Sequence, residues 1–262
     1  MFIIPLGLAA ALAATSDVAP TATVPAETAP LTYESAFAQD EVEAAPAPAW
    51  TGSLSAGLST TSGNSSIDRA SVTADAEKKN EDHRWTAGVN WAYQGAKNTG
   101  ISQRRTEGNL QYDKFLGESL FAYANVGVLS DFAANLDLRT KVGVGLGKDL
   151  VMTETWEVKG ELGLSHIDSE FADNTSNKFL AGRVAYTANH TPGGIFSFEH
   201  MGELFPSLED SGMVAKWDTR LKAKVSEAFF AQLQWVFDYN KKPPVGNKSG
   251  DHLLLLTVGW TF

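Results

Sequence analysis

HLLLLTVGWTF, residues 252–262, is the stretch that decides the fold. Leu254, Leu256, Val258, Trp260 and Phe262 fall on one face of a period-two strand, while Leu253, Leu255, Thr257, Gly259 and Thr261 fall on the other. A last strand that is apolar on one face and ends on an aromatic has to be paired on both edges if it stands in lipid. A barrel closed by pairing its last strand with its first leaves no edge open. The ending also has the form of the C-terminal signal that the barrel-assembly machinery of bacterial outer membranes reads.

Working back from that strand, the same alternation recurs as far as Trp50, and no segment carries a sustained helical period. Met213, Ala215, Trp217, Thr219, Leu221, Ala223 and Val225 alternate with Lys216, Asp218, Arg220, Lys222 and Lys224. Phe229, Ala231, Leu233, Trp235, Phe237 and Tyr239 oppose Gln232, Gln234, Asp238 and Asn240. Trp85, Ala87, Val89, Trp91 and Tyr93 oppose Arg84, Thr86, Gly88 and Asn90. Long strands whose apolar faces end in aromatics at both ends match lipid-facing strands with interfacial girdles.

Turn signals divide the region into about twelve strands, an even number as a single-chain barrel of this type requires. The expected spans are 50–60, 65–78, 83–95, 103–116, 119–131, 136–149, 154–168, 178–190, 194–205, 212–226, 228–240 and 251–262. The fold expected is all-β: a transmembrane antiparallel up-and-down barrel over 50–262. Tight turns at 117–118, 191–193 and 226–227 would face the periplasm, and longer loops at 96–102, 171–177, 206–211 and 241–250 would face outward.

The N-terminal region reads differently. Residues 1–14 form an apolar run too short to span a bilayer and ending in small residues, the form of a secretory signal peptide, although its n-region lacks lysine and arginine. Residues 15–49 are rich in Ala, Pro and Thr. They carry six acids (Asp17, Glu27, Glu34, Asp40, Glu41, Glu43) and no basic residue. So little large apolar surface cannot offset the ordering entropy, and a disordered segment is expected. Taking those six from the 31 acids leaves 25 against 21 Lys and Arg, a modest excess without the basic face that a nucleic-acid partner would need. The chain has no cysteine, so neither disulfides nor lipid attachment through cysteine can contribute.

Several motifs carry a family resemblance: the opening Trp50-Thr51-Gly52-Ser53, Thr61-Ser62-Gly63-Asn64, the loop Asp238 to Gly246 containing Lys241-Lys242-Pro243-Pro244, and the aromatic last strand. Together they resemble the family of salt-induced outer-membrane proteins over 50–262. The resemblance implies a barrel in the outer membrane of a Gram-negative bacterium with no established biochemical activity. The acidic segment before Trp50 departs from many members of that family.

No catalytic, cofactor or metal residue is assigned, and the expected protein is not an enzyme. His166 and Asp168 are the nearest approach to a membrane-hydrolase pair, yet strand periodicity alone places them on one face. Asp173-Asn174 and Asp149 are read as turn residues rather than as cation ligands. The glycines at 143, 145 and 147 have strand spacing, which is not that of a phosphate loop. The informative set is the charged inward face: Arg105, Glu107, Asp113, Asp137, Arg139, Lys141, Glu157, Lys159, Glu161, Arg183, Lys216, Asp218, Arg220 and Lys222. Buried charges of both signs must be paired or solvated, so this face reads as ion-pair networks filling or narrowing the barrel, with a structural or envelope-stress role. A passive channel for small solutes or ions is the alternative, and a periplasmic ligand-binding barrel with its apolar faces inward is a third. The partners expected are outer-membrane lipid and, during biogenesis, the assembly machinery.

Overall fold

The computed structural model describes residues 49–61, 67–96 and 99–262. The signal segment 1–14, the acidic segment up to residue 48, and Ser62 to Asn64 of the opening motif lie outside the described residues. Twelve strands follow one another without a helix among them: β1 Thr51–Thr61, β2 Ile67–Lys79, β3 His83–Ala96, β4 Gly100–Phe115, β5 Leu120–Asp131, β6 Leu136–Met152, β7 Trp156–Phe171, β8 Ser176–His190, β9 Phe196–Pro206, β10 Met213–Lys224, β11 Phe229–Asn240 and β12 Gly250–Thr261. Each pairs antiparallel with its sequence neighbours, and β12 closes on β1 through Ser53↔Thr261 to Ala56↔Val258.

The alternation decides which side chain faces where, and it makes the barrel inside out relative to a soluble protein. Leu254, Leu256 and Val258 are 66, 75 and 68% exposed on the outside, whereas Asp218 and Gln234 are 2% and 0% exposed on the inside. Trp85, Trp156, Trp235 and Trp260 all stand exposed on the outer face, and Trp217 stacks there on Phe237. A ligand-binding cup with apolar faces inward is thereby overturned. No interior could take up so many apolar faces, and the charges occupy it instead.

Strand ends depart from expectation mainly because backbone pairing runs past the point where the apolar pattern fades. β3 runs to Ala96 and β4 begins at Gly100, whose φ is +77°, and β8 begins at Ser176 after a turn through Asn174 at φ +62°. Of the loops expected at 96–102 and 171–177, Ala96 and 100–102 in the first, and Phe171, Ser176 and Asn177 in the second, belong to strands. Of the described connections, 207–212 and 241–249 are the long ones, both at the end of the barrel opposite Phe262, here called the loop end.

The glycines of β6 position a pair of rings. Phe121 and Tyr123 project inward from β5 across Gly147 and Gly145, and a methyl group at Gly145 would come 2.6 Å from the Tyr123 hydroxyl. Gly145→Val is expected to displace that ring and cost about 1–3 kcal/mol, read as a lower urea midpoint for the barrel refolded in vesicles.

Apolar groups also face inward at the loop end, which the charged pattern did not suggest. Ile167, Phe179, Ala181, Phe205 and Val214 form one buried cluster, and Leu129, Leu136 and Phe171 form a second. They sit on the same inward parity as the charges, one or two turns of the pleat further along, except Leu136, which a register slip in β6 brings inward.

Candidate functional site

The inward side chains form three connected groups that tie opposite walls together. Toward the loop end, Arg105 on β4 reaches Asp131 on β5 at 2.9 Å, Asp238 on β11 at 2.8 Å and Glu107 at 3.0 Å. Glu107 in turn accepts from Lys216 on β10 at 2.5 Å. Neither β10 nor β11 borders β4, so both contacts cross the lumen. Arg139 lies nearby, buried, donating from Nε to Ser169 Oγ at 2.9 Å.

A second group centres on Arg183 of β8, which holds Glu161 at 2.6 Å and Glu203 at 2.7 Å. Lys141 adds a bond to Glu203 at 3.0 Å from three strands away. Gln111 donates at 2.9 Å both to Glu161, three strands away around the wall, and to Asp113 on its own strand, and Asp113 accepts from Arg84 at 2.6 Å. The guanidiniums of Arg84 and Arg183 lie 4.8 Å from the Phe121 and Tyr123 ring centres. Those rings are the ones the β6 glycines admit, so an apolar wall supports the cations from below.

In the third group Arg220 of β10 spans to Asp75 on β2 at 2.7 Å while holding Asp218 at 3.3 Å. Gln234 donates to both oxygens of Asp218, at 3.1 and 2.9 Å, and accepts from Thr73 at 3.3 Å. Glu199 lies 3.8 Å from Arg220 and 3.7 Å from Lys222. Pairs this buried repay the desolvation of their ions where the carboxylate has more than one partner, as Glu107, Asp113, Glu161, Glu203 and Asp218 do.

Of the residues named from sequence, the structure brings together Arg105, Glu107, Asp113, Lys141, Glu161, Arg183, Lys216, Asp218, Arg220 and Lys222. Arg139 stands among them without a carboxylate inside salt-bridge distance. Lys159 faces inward, half-buried, opposite Asp149. Glu157 is exposed at the terminal mouth, lining a polar cavity of about 260 Å³ with Asn189, Glu199 and Lys222. Asp137 is set apart: the register slips between Leu136 and Leu138, both flanking inward positions are taken by Leu136 and Arg139, and Asp137 is exposed. Sequence reading passed over Asp75, Asp131, Asp149 and Glu203 as partners. Asp149 shares strand parity with Arg139 and Lys141, already assigned inward; Asp75, Asp131 and Glu203 lie on β2, β5 and β9, where the signal was that each alternates with small or apolar outward residues.

Histidine stays out of the lumen. His83, His190, His200 and His252 lie on the outer face among aromatics, such as His190 stacked on Trp156 at 4.1 Å and His252 on Phe237 at 4.6 Å. His166 and Asp168 share the outer face, where Asp168 pairs with Lys178 at 2.7 Å. Asp173 accepts from Thr175, the hydrogen bonding of a turn. Among the described residues no cluster of His, Asp and Glu is arranged to hold a metal.

At the loop end a cavity of about 30 Å³, room for one water, lies between Arg105, Arg139, Asp238 and the loop residues Pro243, Pro244 and Asn247. Lys242 of that loop donates to Asp210 at 2.5 Å, and Asn135 donates to Asn247 at 2.9 Å. The Lys242 bond, with a further one from the Gly212 N–H, lowers the Asp210 pKa from 3.8 to about 2. A carboxylate with a depressed pKa contributes fully above its ordinary value and loses that contribution as pH falls through the depressed one. The tether between the two loops should therefore persist at pH 4 and release near pH 2. Hydrogen exchange of the 241–249 amides would read this, and Asp210→Asn should remove the step.

A model of the family described as "Protein of unknown function, DUF481" matches residues 54–262. No curated protein matches the chain. Among solved structures, the NanC porin is similar at 11% identity, with 81% of this chain and 98% of that one covered and a TM-score of 0.44. The COG4313 outer membrane channel from Pseudomonas putida F1 is similar at 11% identity over 86% and 98% of the two chains, with a TM-score of 0.45. The KdgM porin is similar at 9% identity over 82% and 98%, with a TM-score of 0.38.

Proposed function

The chain belongs to the DUF481 family, and from its inside-out barrel we propose an outer-membrane protein of the Gram-negative envelope whose interior is filled, so that it braces the membrane rather than conducting freely. The observation that carries this reading is the set of bonds crossing the lumen, Lys216 to Glu107, Arg105 to Asp238 and Arg220 to Asp75. A wide aqueous pore cannot coexist with side chains that meet from opposite walls. The inward charges are thus structural groups on this reading. Expression in response to salt, and recognition of the aromatic last strand by the assembly machinery, belong to the same proposal; raised-salt expression and exchange of Phe262 for a polar residue test them.

Planar-bilayer recordings of the folded protein should show small steps or none. Neutralising Arg139 and Arg220 together should loosen the barrel or raise conductance, because Asp75 and Asp218, left unpaired by the loss of Arg220, recruit water, and Arg139 adds the loss of a second buried cation. A large, steady conductance from the unmodified protein would sink the filled reading. The second reading, passage of small solutes, is favoured by two features: the polar cavity at the terminal mouth is open to water, and Asn109, facing inward at the middle of β4, is exposed. Ion substitution in the same recordings separates the two.

A further inference from the structure

The seam that closes the barrel is paired over less than half of its strands. β1 and β12 share the ladder from Ser53↔Thr261 to Ala56↔Val258, with Gly52 and Phe262 exchanging backbone bonds at 3.0 Å below it. Beyond Ala56, β1 continues on β2 to Thr61, and β12 runs from Gly250 on β11. The edges of 57–61 and 250–257 that face each other have no ladder. Elsewhere a short seam is covered: the β8–β9 ladder stops at Val184↔Leu204, but Leu208 N–H donates to the Leu180 carbonyl, Glu209 accepts from Leu180 N–H, and Ser207 bridges Ala181. Among the described residues nothing does this for β1 and β12.

The lower part of the open stretch lies within the apolar belt, where Leu58 and Leu256 face outward, and its upper part reaches the girdle, where Leu254 is level with Trp235 and Thr60 bonds Asp68 at 2.7 Å. On the lumen side the same stretch presents Leu253 and Leu255, which point inward yet are only half-buried. Ser59 and Arg69 face each other across β1 and β2 on that inward side, and Arg69 is exposed with Nε bonded to Gln94 at 2.8 Å. An unpaired strand edge in hydrocarbon requires hydrogen-bonding partners; alkyl chains have none to give, so what the bilayer supplies has to be a polar head and the water that follows it. Leucines for a chain and a guanidinium for a head match one kind of lipid.

We infer that the upper β1–β12 seam is a lateral portal that admits a single-chain amphiphile with an anionic head from the bilayer to the lumen margin, its chain on Leu253 and Leu255 and its head at Arg69. The inference rests on the membrane reading above. The test uses photoreactive palmitate in phospholipid vesicles holding the folded full chain, with labelled residues mapped by mass spectrometry. Label on outward Leu254 and Leu256 together with inward Leu253 is the expected result, and Arg69→Glu should lower the inward label several-fold. Continuing the seam register sets Ser59 opposite Leu255, and the chain has no native cysteine. Bridging Ser59→Cys to Leu255→Cys with a bifunctional thiol reagent should abolish label at Leu253 and spare Leu254, while the unbridged pair keeps both. Label confined to the outward residues, or inward label that survives bridging, overturns the portal and leaves the membrane barrel standing. No label on either face overturns the membrane reading itself.

Discussion

Arg220→Met should destabilise the barrel by about 3–5 kcal/mol, the scale for removing one partner of a buried ion pair. Arg220 is 3% exposed, and Asp218, at 2%, relies on it for its countercharge, with Gln234 supplying only neutral donors. Loss of the guanidinium also cuts the link to Asp75 on a strand four places away around the wall. Urea unfolding in vesicles measures the loss, and heat-modifiable migration reports whether the variant still closes. Combining Arg220→Met with Asp218→Asn should recover part of the stability, since the stranded carboxylate is then gone. Equal stability of wild type and the single variant would show that water already screens the pair and that the lumen is wet at this height.

Leu233→Arg should cost about 2–4 kcal/mol, the range for a cation on the lipid face near the bilayer midplane. Leu233 stands between Leu221 and Leu256 in the registers of its two neighbours, and all three are exposed outward. Ser197→Arg makes the control: it faces inward at the water-open terminal mouth, beside Lys222, and should change the urea midpoint far less. A Leu233→Arg barrel as stable as wild type would mean that this surface does not stand in hydrocarbon.

Much of this was legible in the residues. Period two in β10 and β11 assigns Lys216, Asp218, Arg220, Gln232 and Gln234 to one face without any coordinates, because alternate side chains must leave a strand on opposite sides. The same rule placed Trp217 and Trp235 on the outer face. It failed where one residue breaks the count. At the β6 slip Asp137 leaves the face that parity assigned to it, and bulges carry no reliable sequence mark. Loop lengths failed for a related reason: β4 already begins at Gly100, and Asn174 closes a turn by positive φ, so pairing reaches further than hydrophobic alternation does.

The sequence by itself determined that twelve alternating strands present apolar residues to one side and charges to the other, and that the chain ends on an aromatic strand. Those are properties of local periodicity, readable one strand at a time. Only the tertiary structure decided that Arg220 meets Asp75, that Lys216 meets Glu107, that an apolar cluster fills the lumen at the loop end, and that β1 and β12 part above Ala56. Contacts across a lumen depend on how the closed sheet curves and staggers, a relation among strands far apart in the chain, and no single strand's pattern encodes it.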